Sequence, residues 1–379
     1  MDPFIPPPLP TKPRTSPVAI WSLVLASLGI VFCLPSVAGF ICAIVALIQI
    51  GRSNGALRGT GLAFAGLITS LVTGVVFVSL VAAIVVPLAK KSRTQSVSAG
   101  RSLADERKGF VTHLVRRERT GYPVSEPPAG ELNIVYYSSP IGRLPAYLSP
   151  IPNDGKKHPA IIWLTGGFSN SISDNAWDSA PPENDQTARI FRQTGVVTLY
   201  PSLRGGNENP GYKETFLGEV DDVIAAAEFL AAQPRIDRIY LGGHSTGGTL
   251  ALLVAESTSR FRAVFSLGPV ARIGDYGRDN LTFDTTNIQE FRLRNPSGWL
   301  DGITSPTFVF EGENQRSNID SLHELKTATH NSAVQFFPVK GNDHFSLIAP
   351  LSKQIAERIL EDTGPTARFE FQKIPERTP

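Results

Sequence analysis

The chain has 379 residues, of which 42% are hydrophobic and 18% charged, so its length predicts two or three structural units and its composition excludes an intrinsically disordered protein. Residues 1–104 carry eight basic side chains and one acidic one, which leaves a net charge of −5 for the remainder of a chain whose total is +2. Because this larger part is mildly acidic and has no basic stripe, no nucleic acid partner is expected.

The N-terminal quarter has the composition of a membrane segment. Five of the first ten residues are proline, which predicts an extended Pro-rich tail over residues 1–16. Two runs without any charged side chain follow, at 17–50 and 59–89, and each exceeds the roughly 20 residues that cross a bilayer. We therefore expect a transmembrane helical region over residues 17–90, with the lipid bilayer as its partner. A cleaved signal peptide and a buried soluble hairpin are the alternatives.

The number of crossings depends on how the first run is broken. Pro35 and Ser36 predict either a hairpin of two helices, 19–34 and 36–50, or one long tilted helix if they do not break it. Two crossings are favoured overall. The basic residues at both ends of the apolar region then place the C-terminal part of the chain in the cytoplasm. Three crossings would place it on the opposite side of the membrane. Gly66, Ser70 and Gly74 recur every four residues and predict close packing against a neighbouring helix.

The loop between the two runs has a recognisable pattern. It reads Gly51-Arg52-Ser53-Asn54-Gly55, followed by Gly59-Thr60-Gly61 and a Leu-Ala-Phe-Ala-Gly helix entry. With this loop, residues 17–88 resemble a small bacterial membrane module of unknown function. The resemblance implies no chemistry.

From residue 131 onwards, short β-rich runs alternate with helical segments. The spacing predicts a helix over 218–232 with Val220, Val223 and Leu230 on one face, and a C-terminal helix with Ile355, Ile359 and Leu360 on one face. Eight strands are predicted, at 132–137, 144–148, 160–164, 196–200, 238–241, 263–267, 307–310 and 334–339. The fold class is α/β, with a mostly parallel eight-stranded sheet over residues 131–363. A linker over 91–130 precedes this domain, and a tail over 364–379 follows it.

The fifth strand ends in a pattern typical of a nucleophile elbow. Residues 238–253 read strand, Gly-x-Ser-x-Gly, helix, with Gly243, Ser245 and Gly247 at the turn. Small neighbours permit the tight turn that raises the Ser245 hydroxyl above the sheet. The amide of Thr246 then points at a developing oxyanion. An ordinary Gly-rich turn is the alternative.

A serine nucleophile needs a base, and His344 is the candidate. It lies in a loop between the eighth strand and the C-terminal helix, last in chain order, as this arrangement requires. His244 is a rival, but it immediately precedes Ser245 and its side chain is expected to point elsewhere.

The acid that would orient the base is not fixed by the sequence. It commonly lies third after a glycine in the loop following the seventh strand, and Gln315 occupies that position here. Glu311, at the strand end, and Glu313, in the loop, are the candidate substitutes. Asp275, after the sixth strand, is a third possibility.

A second oxyanion donor is expected after the third strand. Paired glycines there let the backbone approach a substrate carbonyl, so the amide of Gly167 or of Phe168 can act together with that of Thr246. Arg204, in an Arg-Gly-Gly segment after the fourth strand, is expected to tie loops to Glu219, Asp221 or Asp222 rather than to contact substrate.

Together, these segments resemble the α/β-hydrolase superfamily and, more narrowly, the catalytic domain of the prolyl oligopeptidase family. The resemblance covers residues 132–362 and rests on Gly-Gly after the third strand, Arg-Gly-Gly after the fourth, and the segments Gly-Gly-His-Ser-Thr-Gly-Gly and Gly-Asn-Asp-His-Phe. It implies serine hydrolysis through an acyl-enzyme with Ser245 and His344, whereas the acid is not carried over because Gln315 breaks the motif.

The sequence therefore predicts an integral membrane serine hydrolase that cleaves a carboxylic ester or a small amide without a metal or organic cofactor. A prolyl oligopeptidase-like peptidase acting on short peptides is one alternative. A hydrolase-fold module that binds without catalysis is the other, because the expected acid is missing.

Overall fold

The chain divides into two compact units, Met1–Ser96 and Val97–Pro379. The computed structural model describes residues 14–28, 33–53, 56–93 and 102–371. The predicted Pro-rich tail, up to residue 13, and the predicted C-terminal tail, from residue 372, lie outside these described residues.

In the described residues of the first unit there are three helices: α1 (Pro17–Leu28), α2 (Cys33–Arg52) and α3 (Thr60–Arg93). A two-residue parallel pairing joins Arg14–Thr15 to Leu57–Arg58. The apolar run 17–50 is thus two helices rather than one, but α2 begins before Pro35 instead of after it. This position is compatible with proline, which is tolerated in the first helical turn because the amides there have no intrahelical partner.

Small side chains form the interior of the first unit. Ala19, Ala46 and Ala63 are fully buried together. A Cβ atom on Gly66 would lie 2.5 Å from Ser22 Oγ, so α3 packs directly on α1 at this position of the predicted stripe, whereas a Cβ atom on Gly74 would meet no described atom within 4 Å. Large apolar side chains lie outside instead, and Trp21, with 60% of its surface exposed, is an example.

Among the described residues, no helix combines the length and hydropathy that a bilayer crossing requires. The transmembrane region and the integral membrane location expected from the sequence therefore find no support in this structure.

The second unit is built on an eight-stranded sheet. Its strands are β1 (Asn133–Ser139), β2 (Gly142–Leu148), β3 (His158–Leu164), β4 (Val197–Pro201), β5 (Ile236–His244), β6 (Val264–Leu267), β7 (Thr307–Gly312) and β8 (Val334–Val339). They lie in the order β1-β2-β4-β3-β5-β6-β7-β8, in which β2 pairs antiparallel with β1 and with β4 and all other neighbours are parallel. All eight predicted strands are confirmed.

Helices cover both faces of this sheet. They are α4 (Leu103–Arg107), α5 (Ile190–Gln193), α6 (Glu219–Ala231), α7 (Thr246–Ala255), α8 (Ile288–Arg292), α9 (Ile319–Ala328) and α10 (Ile348–Glu361). Alternate residues of β3 divide between two apolar clusters: Ile162 packs with residues of α6 and α7, and Ile161 packs with residues of α10. Ile355, Ile359 and Leu360 are predicted on the buried face of α10. Ile355 and Ile359 are buried, whereas Leu360 is 40% exposed.

Residues 102–120, which we call the strap, pack against the rest of the second unit, whereas the sequence predicts a linker over 91–130. Leu103 is buried in the core, and the Arg107 guanidinium donates to Leu217 O at 2.7 Å and lies 3.0 Å from the Asp221 carboxylate. Further along, the amide of His113 donates to the Glu290 carboxylate at 2.7 Å. The strap thus crosses from the start of α6 to α8.

Candidate active site

Ser245 lies at the turn between β5 and α7, at the carboxyl edge of the sheet. Its backbone has φ 57° and ψ −117°, a conformation that costs a non-glycine residue roughly 1–3 kcal/mol. Its amide donates to Leu267 O on β6 at 2.7 Å. Such strain concentrates at functional sites.

The glycines around Ser245 are required by contact distances. A Cβ atom on Gly247 would lie 2.0 Å from Leu164 O, and one on Gly243 would lie 2.4 Å from Gly247 O. Any larger residue would separate α7 from β3 and β5. The Gly-x-Ser-x-Gly pattern therefore permits the close packing that makes the turn.

His344 follows β8 and is 8% exposed. Its Nδ1 lies 3.0 Å from Glu311 Oε2 at the end of β7, and the carboxylate is fully buried. Gly268, at φ 64°, makes room for the ring, because a Cβ atom there would lie 2.6 Å from His344 Cε1. β6, β7 and the loop after β8 thus bring the imidazole and a carboxylate together next to the Ser245 turn.

The Glu311 carboxylate is itself fixed by two backbone amides. Gly312 N donates to Oε1 at 2.7 Å, and Asn318 N donates to Oε2 at 2.9 Å. The Asn318 side chain also donates to Gly268 O at 2.9 Å. Sequence reasoning missed Asn318, since no spacing rule connects it to β7.

The other candidate acids lie elsewhere. Glu313 is exposed, and in the described residues the carboxylate contact to His344 comes from Glu311. Asp275 lies in a short 3₁₀ turn, with its carboxylate 3.7 Å from Arg272 Nε. Gln315 is exposed in the loop after β7.

The candidate oxyanion donors border the same turn. The Thr246 hydroxyl donates to Gly167 O at 2.5 Å, which ties the start of α7 to the loop after β3. Gly167 has φ 101°, a conformation that favours glycine, and its surroundings are open. Phe168 is half-buried, with its ring 5.3 Å from that of Tyr276.

His244, the rival base, serves the structure of the His344 loop. Its Nε2 donates to the backbone oxygen of His344 at 2.7 Å, and its Nδ1 lies 3.2 Å from the side-chain amide of Gln186. Burial, with a smaller contribution from the neighbouring His344, lowers the pKa of His244 to about 3. The ring is therefore neutral near pH 7, and its centroid lies 4.6 Å from that of the His344 ring.

Arg204 ties loops together, as the sequence predicted. Its guanidinium bonds the buried Asp222 carboxylate at 3.0 Å and Glu214 at 2.8 Å. Asp222 also accepts from the Arg204 amide, so it fixes the loop after β4 to α6.

A cavity of about 60 Å³ lies beside the candidate oxyanion donors. Thr246 and Gly167 line one side, and the buried Glu219 and Trp163 also contribute to its wall. The remaining lining combines apolar and polar side chains in about equal number.

Solved structures with a similar fold are hydrolases. A puromycin-hydrolysing peptidase from Mycobacterium tuberculosis is 20% identical with a TM-score of 0.50, and the match covers 65% of this chain and 42% of that one. The Pyrococcus furiosus esterase Pf2001 gives 17% identity and a TM-score of 0.49, covering 64% and 97% of the two chains. The Pyrococcus horikoshii acylaminoacyl peptidase gives 16% identity and a TM-score of 0.47, covering 64% and 42%. A comparison with curated proteins found no match. The chain spans less than half the length of both peptidases.

The strand order, the strained serine turn and the mycobacterial match define the second unit as an α/β-hydrolase fold. Within it, residues 182–314 match the model of the prolyl oligopeptidase family. In the first unit, residues 18–80 match a domain of unknown function, DUF4190.

Proposed function

We propose that the second unit is a serine hydrolase that cleaves a carboxylic ester or a small amide through an acyl-enzyme. The observation that carries this proposal is the buried contact of 3.0 Å between His344 Nδ1 and Glu311 Oε2, next to the strained Ser245 turn. A nucleophile, a base and a carboxylate on neighbouring strand ends are the parts that acyl transfer needs.

Each residue has a role in this proposal. Ser245 attacks the substrate carbonyl while His344 removes its proton, and His344 later returns a proton to the leaving group. Glu311 holds the imidazole in the tautomer with hydrogen on Nδ1 and stabilises the imidazolium. The amide of Thr246, with that of Gly167 or Phe168, stabilises the oxyanion.

Glu311 is favoured over Glu313 because only a buried, fixed carboxylate can determine the orientation of the ring. Glu311 accepts from two backbone amides and from His344, so its oxygens cannot rotate freely. A carboxylate at the strand end thus takes the place of the acid expected at Gln315. This arrangement also argues against a module that binds without catalysis.

The catalytic proposal is tested with a fluorophosphonate probe and matched variants. We expect one label, at Ser245, and Ser245→Ala should lose both labelling and esterase activity. Labelling of the alanine variant would refute the assignment. p-Nitrophenyl esters and short peptide p-nitroanilides, assayed in parallel, separate an esterase from a peptidase.

The acid is tested by two isosteric changes two residues apart. Glu311→Gln keeps the side-chain shape and an oxygen that accepts a backbone amide, but it removes the charge that faces His344. We expect a loss of kcat on the order of 10³–10⁴-fold, the effect typical of removing the orienting acid of a triad. Glu313→Gln should stay within about twofold of the parent. Equal effects of the two changes would contradict the role of Glu311.

We also propose that the first unit associates with a lipid bilayer. Large apolar side chains are exposed on all three helices, as shown by Trp21 (60%), Ile41 (56%) and Ile68 (60%). Exposed apolar area of this extent is unfavourable in water at roughly 25 cal/mol per Å². The full chain should float with phospholipid vesicles in high salt, while a chain starting at Ser102 should remain free. A full chain that stays in the aqueous fraction would contradict this.

A further inference from the structure

Two buried polar atoms on residues that line the cavity have no hydrogen-bond partner within the described part of the chain. They are Oε2 of Glu219 and Nε1 of Trp163. An unpaired buried polar group costs roughly 1–3 kcal/mol, and more if it is charged. A cavity lined by residues with such unpaired atoms is better suited to a polar occupant than to a hydrocarbon.

The orientation of Glu219 is fixed by its other oxygen. Oε1 accepts from the side-chain amide of Asn170 at 3.0 Å and from the backbone amide of Glu214 at 2.7 Å. Glu219 is 2% exposed, and burial raises the pKa of its carboxyl group. The loops therefore hold Oε2 in place without a partner of its own.

The cavity adjoins the position where the substrate carbonyl would lie. Its wall includes Thr246 and Gly167, which the proposed mechanism assigns to the oxyanion site, and also the exposed Ser169. Because a water needs about 10–15 Å³, a cavity of about 60 Å³ has room for roughly four waters or for a short substituent. A group attached to the acyl part of a substrate can thus reach it from the rim.

The charges around the cavity limit the kind of group it accepts. A carboxylate would place its own acceptor oxygens against Oε2 of Glu219, and an alkyl group would leave Oε2 unpaired. Lys213 also lines the cavity, but its ammonium lies 3.3 Å from the Glu118 carboxylate and so already has a partner. Of these kinds of group, a hydrogen-bond donor satisfies the free oxygen.

We propose, resting on the serine hydrolase function above, that this cavity is a specificity subsite in which Glu219 Oε2 accepts a hydrogen bond from an amino or hydroxyl substituent of the acyl group. A site built to hydrogen-bond a substrate group discriminates strongly against analogues that lack it. The expected substrates are therefore amino- or hydroxy-substituted esters or amides rather than simple alkanoyl ones.

The test uses three p-nitroanilides of nearly equal size: propionyl, lactyl (2-hydroxypropionyl) and alanyl (2-aminopropionyl). In the full-length protein we expect kcat/KM for the alanyl or the lactyl substrate to exceed that for the propionyl substrate by roughly 10- to 100-fold. The substrate with the larger advantage identifies the donor as amino or hydroxyl. Glu219→Gln keeps an oxygen for Asn170 and replaces Oε2 by a donor, so this advantage should fall at least tenfold.

Two further variants keep the outcome interpretable. Glu228→Gln, on the exposed side of the same helix, should leave the substrate preference unchanged. Ser169→Phe narrows the rim from an exposed position and should also abolish the preference, which provides a second test if Glu219→Gln does not fold. A preference that survives both Glu219→Gln and Ser169→Phe, or one absent in the parent protein, would overturn the subsite. Hydrolysis that survives Ser245→Ala would instead overturn the catalytic proposal.

Discussion

The buried ion pair between Glu290 and Arg294 offers a sharp test of how the second unit is held together. Both side chains are completely buried, and the guanidinium contacts the carboxylate directly. Glu290 also accepts from Thr112 Oγ at 3.0 Å and from the His113 amide of the strap. Burial lowers the pKa of Arg294. Glu290→Ala removes the carboxylate that faces this guanidinium.

The expected cost follows from what the change leaves behind. Removing one partner of a buried pair leaves an uncompensated charge and typically costs about 3–5 kcal/mol. The Arg294 guanidinium keeps its bonds to backbone oxygens, including one to Thr215 O at 2.8 Å, but none of these neutralises its charge. For a domain of this size, 1 kcal/mol shifts Tm by about 2–4 °C, so we expect Tm to fall by roughly 6–20 °C.

The assay compares this variant with a matched surface pair. Glu228 and Arg260 lie 2.7 Å apart, but their side chains are 53% and 50% exposed. Exposed pairs contribute about 0.2–1 kcal/mol, so Glu228→Ala should lower Tm by less than about 4 °C. Thermal unfolding followed by circular dichroism measures both. The double change of Glu290 and Arg294 to methionine should recover much of the loss, because no unpaired charge remains.

The two pairs have comparable chemistry and differ in burial, so burial is taken as the cause of the larger loss of stability. A fall in Tm of less than about 2 °C for Glu290→Ala would refute this explanation, as would equal falls in Tm for the two alanine variants. A double methionine variant less stable than Glu290→Ala would also contradict the argument, because it would show that the charge itself is not the source of the cost.

Three further predictions concern stability. Glu256 is 2% exposed, and in the described residues neither of its side-chain oxygens has a partner. Burial raises the pKa of its carboxyl group well above the ordinary value, so the folded state loses stability as pH rises above about 4.5. Glu256→Gln should therefore raise Tm, and by more at pH 8 than at pH 5. The pKa of His244 is lowered to about 3 in the folded state, so between about pH 6.5 and pH 3 the unfolded state binds a proton that the folded state does not. Stability therefore falls as pH drops through this range. His244→Asn should make Tm depend less on pH there. A chain starting at Ser125 lacks the strap and should unfold at a lower temperature than one starting at Ser102, and equal Tm values would show that the strap adds nothing.

The strands and the serine turn could be predicted because their signals are local. A short continuous apolar run marks β3, and the glycines at 243 and 247 flank Ser245 within five positions, so neither signal depends on distant parts of the chain. The first apolar run was harder. A proline is compatible with either side of a helix start, and Pro35 fell in the first turn of α2 rather than before it.

The candidate acid could not be chosen from sequence because Glu311 and Glu313 differ only in where the strand ends. Glu311 belongs to β7 and is fully buried, whereas Glu313 lies one residue beyond the strand and is exposed. Strand ends are uncertain by a few residues in any reading of a single sequence. The support from Asn318 adds a contact across a loop that no periodicity encodes.

The strap escaped prediction for a related reason, and it links the stability of the second unit to its site. Its contacts join residues far apart in sequence: Glu118 O accepts from the amide of Lys213, and the Thr112 hydroxyl accepts from the Arg294 guanidinium. Lys213 and Thr215 line the cavity that contains Glu219, and Arg294 holds Thr215 by its backbone oxygen. Loosening the strap therefore releases the wall of the cavity before it affects the Ser245 turn, which β3, β5 and β6 hold independently. Damage to the strap should consequently reduce the preference among acyl groups more than the rate of acyl transfer itself.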